Sequence, residues 1–70
     1  MNKNMLYAEI KLKGYSLQEF LTKINMNRST WNKKVRGIHE FTRDEIVRII
    51  EALNLSVEKT MEIFFCRKVS

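Results

Sequence analysis

The fold turns on residues 16–37, SLQEFLTKINMNRSTWNKKVRG. Ser16 followed three residues later by Glu19 is a capping-box pattern: the serine hydroxyl accepts from the N3 amide, and the glutamate reaches back to the amide of the cap. Leu17, Phe20, Leu21 and Ile24 then recur at i, i+3, i+4 and i+7, the stripe of an amphipathic helix. Asn25 falls where that helix ends, and asparagine enters left-handed backbone more readily than any residue except glycine. Met26 can turn back to the core, and Asn27 is a favourable N-cap. A third helix is predicted from Arg28 to Arg36, with Trp31 and Val35 inward and Gly37 ending it.

Two short helices joined by a three- or four-residue turn describe a helix-turn-helix, whose second helix lies in the major groove of DNA. With Trp31 and Val35 buried, a step of about 100° per residue turns Ser29, Lys33 and Arg36 outward. Thr30 and Asn32 flank that face, and Arg28 sits in the first turn, within reach of it. Every member can donate a hydrogen bond to a base or a phosphate, and none is acidic. A solvated face usually mixes both signs; this one does not.

The charge distribution agrees. The chain has a formal net charge of +5 and a pI near 9.7, which suits a polyanionic partner. Residues 1–36 hold eight basic and two acidic side chains, whereas residues 37–70 hold five and six. No acid occurs from residue 20 to 39, where Lys23, Arg28, Lys33, Lys34 and Arg36 cluster. Lys23, Lys33, Lys34, Arg36 and Arg43 are the expected phosphate ligands. Arg28, Ser29, Asn32 and Lys33 are the expected readers of base edges, and Thr30 beside them is expected to touch the DNA backbone.

Apolar residues keep helical spacing through the rest of the chain. A first helix is predicted from Asn4 to Lys13, with Leu6 and Ile10 inward and Gly14 ending it. A fourth follows Thr42, whose spacing to Glu45 makes a second capping box, and buries Ile46, Ile49, Ile50 and Leu53. A fifth begins after Ser56, with Val57, Met61 and Phe64 inward. The class is all-α, five helices in a single domain spanning 1–70.

A chain of 70 residues gains only about 3–5 kcal/mol from its core unless something staples it. One cysteine, Cys66, forms no intrachain disulfide, and one histidine, His39, leaves no Cys/His zinc set. Self-association is the remaining staple. If Val57, Met61 and Phe64 face the core, Ile63 and Phe65 are left over, and with Val69 they form the candidate dimer surface. No segment approaches the ~20 apolar residues of a membrane span, and the first residues lack the apolar run of a signal peptide, so a cytoplasmic location is expected. Paired catalytic carboxylates, a Ser/His/Asp set and a glycine-rich phosphate loop are all missing, so no enzyme activity, catalytic residue, metal or cofactor is expected.

The stretch 16–37 also resembles the helix-turn-helix of the Xre family, the Cro and phage-repressor type. The likeness continues through FTRDEIVRIIEALNLS at 41–56 and covers about residues 5–64. LSVEKTMEIFF and the following KVS are similar to the endings of small regulators from phages of Gram-positive bacteria. The resemblance implies a compact, lambda-repressor-like domain with the helix-turn-helix in its second and third helices, acting as a repressor on operator DNA. By position it implies contacts from Gln18 at the opening of the second helix, from Arg28, Ser29, Asn32, Lys33 and Arg36 in the third, and from His39 and Arg43 after it. Three positions depart from the family's habit: Leu21 stands where a small residue is usual, Asn25 where glycine is common, and Trp31 where Ile, Val or Leu is usual. The partner implied is double-stranded DNA, bound by two copies. The alternative is a helix-turn-helix-fold interaction module, of antirepressor or antitoxin-like kind, without specific DNA binding.

Overall fold

Each helix begins on a side chain that satisfies its first free amides. The structure, a computed structural model, describes residues 1–65. Among them are five helices and no strand: α1 (Lys3–Leu12), α2 (Leu17–Lys23), α3 (Arg28–Val35), α4 (Arg43–Leu53) and α5 (Val57–Phe64). The N-caps are Asn2, Ser16, Asn27, Thr42 and Ser56, each accepting from the amide three residues on. Ser16–Glu19 and Thr42–Glu45 are complete capping boxes, with both reciprocal bonds formed.

The helix ends are equally local. Gly14 and Gly37 have φ of +84°, and Asn25 and Asn54 have φ of 57° and 50°. After α2, the Asn25 amide bonds to the Thr22 carbonyl and the Met26 amide to that of Leu21, the paired bonds of a Schellman ending. The same pair recurs at Gly14 and Tyr15 after α1, and at Gly37 and Ile38 after α3. The chain therefore reverses between α2 and α3 through residues 24–27, and α3 packs against α2.

Leu6, Ile10, Phe20, Leu21, Ile24, Trp31, Ile49, Leu53, Leu55 and Ile63 form one buried core. Trp31 is its hub. Its ring lies 5.6 Å from those of Phe20 and Phe41 and 6.2 Å from that of Tyr7, all edge-on, the arrangement aromatic pairs prefer. Phe41 passes the contact to Phe64 at 5.7 Å. The bulk of Trp31 and Leu21 thus fills the space among α1, α2, α3 and the α3–α4 connection. A radius of gyration of 11.5 Å is close to the ~11 Å of a compact chain of this length. No helix among the described residues is long and apolar enough to cross a membrane.

The fifth helix departs from expectation. Ile63 is fully buried, whereas Val57 is 80 % and Met61 53 % exposed. The inward face is Lys59, Thr60, Ile63 and Phe64. The sequence offers two apolar stripes sharing Phe64, and the one containing Ile63 wins. Burying isoleucine forfeits less rotamer freedom than burying methionine, by about 1 kcal/mol. That phase also brings Lys59 to Glu9 of α1, at 3.9 Å, and places the Ile63 carbonyl to accept from the Asn2 amide at 2.8 Å. Ile63 is therefore no part of a surface. Phe65 remains exposed, and Val69 lies outside the described residues.

Candidate nucleic-acid interface

Trp31 fixes the rotation of α3, and that rotation decides which side chains face solvent. The indole is fully buried, and Val35, one turn on, packs against the core. Arg28, Ser29, Asn32, Lys33 and Arg36 are all exposed, while Thr30 is half-buried. Positions i, i+1, i+4, i+5 and i+8 make one continuous helical face. Among the described residues none of the five side chains forms a hydrogen bond or ion pair: the side-chain bonds run through caps, the hydroxyls of Thr22 and Thr60, the indole and Lys34, and the two ion pairs are Lys34–Glu45 and Lys59–Glu9. The charges of Arg28, Lys33 and Arg36 are thus uncompensated among the described residues.

Lys34 is different and leaves the expected phosphate-binding set. Its ammonium lies 2.8 Å from Glu45 Oε1 and donates to the Glu40 carbonyl at 3.0 Å. The side chains of Lys34 and Glu45 are only 10 % and 17 % exposed. The same Oε1 accepts from the Thr42 amide at 2.8 Å, so one carboxylate caps α4 and anchors α3 to it. Burial pushes the Glu45 carboxyl up, but the bonds from Lys34 and Thr42 outweigh burial and hold it below the ordinary value near 4.5. The carboxyl of Glu19 is also lowered, by the backbone and then the hydroxyl of Ser16.

The remaining expected contacts are on the surface. Gln18 is exposed in the first turn of α2, Lys23 in its last, and His39 on the loop after α3. Arg43 is exposed as the first residue of α4. A cation there opposes the positive end of the helix dipole, so helix stability gives no reason for it. Tyr7, on α1, meets the basic helix directly. Its hydroxyl accepts from Trp31 Nε1 at 3.0 Å, tying α1 to the centre of α3. With the indole buried, no exposed aromatic platform for single strands exists on α3. No family model, curated protein or solved structure matches the chain.

Proposed function

We propose that the chain is a sequence-specific double-stranded DNA-binding regulator of transcription. In this reading α2 and α3 form a helix-turn-helix within a lambda-repressor-like arrangement, and α3 enters the major groove. The observation that carries it is the face of α3: five exposed donors, three of them cationic, none acidic and none engaged by another side chain among the described residues. Arg28 is suited to bidentate contact with a guanine, worth about 1–3 kcal/mol of discrimination. Ser29, Asn32 and Lys33 read neighbouring edges. Lys23, Arg36 and Arg43 neutralise phosphates, with Gln18, Thr30 and His39 supplying polar contacts. Three cations and Lys33 together give a salt slope of roughly −3.6 per copy.

One domain of this size covers little DNA, so two copies occupy half-sites about 34 Å apart. The face available for pairing is Val57 and Met61 on one side of α5, with Phe65 just past its end, all exposed. Such a contact is isologous, each copy offering the same patch. Bound at a promoter, the pair excludes polymerase, as a small Cro-like repressor of phage type does in the bacterial cytoplasm. Selection from a random duplex pool tests this. Recovery of a two-fold symmetric site supports it; recovery of no preferred sequence refutes it and favours a protein partner or nonspecific coating of nucleic acid.

A further inference from the structure

We infer that the outer face of α1 is a second phosphate-binding line, formed by Lys3, Tyr7 and Lys11. This rests on α3 being the DNA-facing helix. Lys3, Tyr7 and Lys11 stand four residues apart, so they stack on one side of α1 over about 12 Å. All three are exposed, and Ala8 beside them is too small to obstruct a close approach.

Three observations give the face its direction and its partner. First, the Tyr7 hydroxyl accepts from Trp31 Nε1 at 3.0 Å, so the middle of the stripe is tied to the helix whose outer face carries Arg28, Lys33 and Arg36. Second, that hydroxyl has no acceptor for its own proton among the described residues, leaving it free to donate to a phosphate oxygen. Third, Glu9, the only acid in the first 18 residues, is buried on the other side of α1 and faces Lys59 at 3.9 Å. The stripe is therefore acid-free, as the α3 face is. Duplex DNA carries a charge every ~3.4 Å per strand, so a 12 Å line spans two or more phosphates. The occupant is the sugar-phosphate strand bordering the groove that α3 enters. Its bases are not read, because the donors are two flexible ammoniums and one fixed hydroxyl.

The test is binding to a selected duplex across a salt series for the wild type, Lys3→Gln/Lys11→Gln, Tyr7→Phe and Lys59→Gln. The double variant should lower the salt slope by about 1.8 and weaken binding roughly 10- to 100-fold at 0.1 M salt, equally on matched and mismatched sites. Tyr7→Phe should weaken binding several-fold without changing base preference, with melting followed to confirm folding. Lys59→Gln removes the same charge from the Glu9 side and should leave the slope unchanged. If Arg28→Ala abolishes discrimination while the double variant keeps the wild-type slope, the α1 line is refuted and the α3 reading stands. An equal loss in Lys59→Gln also refutes it, reducing the effect to net charge. A wild type that binds no duplex overturns both.

Discussion

Lys34 and Lys33 are adjacent in sequence, but Lys34 is paired with Glu45 whereas Lys33 is exposed. Replacing Lys34 by methionine keeps most of its stem and removes the ammonium. The loss is one ion pair at 2.8 Å and one bond to a carbonyl at 3.0 Å. Removing one partner of a fully buried pair costs about 3–5 kcal/mol. Here Glu45 is 17 % exposed and keeps its bond from the Thr42 amide, which brings the expected cost to about 2 kcal/mol. For a domain of this length that lowers the melting temperature by roughly 8–16 °C. The effect has a pH signature. Glu45 is held below its ordinary value near 4.5, so its stabilisation is present above that value and lost as pH falls through the folded value. The gap between wild type and Lys34→Met should be full at pH 7 and narrow below pH 4.5. Lys33→Met should leave melting within about 0.5 kcal/mol of wild type and lower the DNA salt slope by about 0.9. Circular-dichroism melts and anisotropy titrations on both variants decide it. A Lys34→Met protein that melts like the wild type but loses a unit of salt slope would refute the assignment.

Asn25 holds φ of 57°, where alanine is strained and glycine is not. Asn25→Ala should cost about 1–2 kcal/mol in urea denaturation, and Asn25→Gly should be neutral or stabilising. On α5, Ile63→Ala should cost about 2–5 kcal/mol by opening a cavity, whereas Met61→Ser should change monomer stability by less than about 0.5 kcal/mol. Phe65→Glu should lower the mass seen in sedimentation without lowering the melting temperature of the monomer; unchanged mass would remove α5 as the pairing face.

What was legible in the sequence was local. Ser16 with Glu19 and Thr42 with Glu45 act across three residues, and all four capping bonds form. Gly14, Asn25 and Gly37 adopt the left-handed backbone their types suggest. The outward face of α3 followed because burying one large residue, Trp31, pins the phase of an eight-residue helix. The misses all depend on partners distant in the chain. The role of Lys34 is set by Glu45, already assigned to a cap, and by the Glu40 carbonyl. The place of Tyr7 is set by an indole 24 residues away. The phase of α5 was ambiguous because Met61 and Ile63 compete for one site, and α1 resolves it through Glu9 and Asn2. The spacing of Lys3, Tyr7 and Lys11 was visible from the start, but nothing in the sequence joined it to α3.

The most direct test of the central claim is anisotropy on the selected duplex and on a copy with its preferred guanine changed, for wild type and Arg28→Ala/Lys33→Ala. The account predicts that the wild type binds the selected site tightly and loses roughly 10-fold or more on the changed site, and that the variant binds both weakly and alike. Equal discrimination by the variant would mean that α3 does not read the sequence.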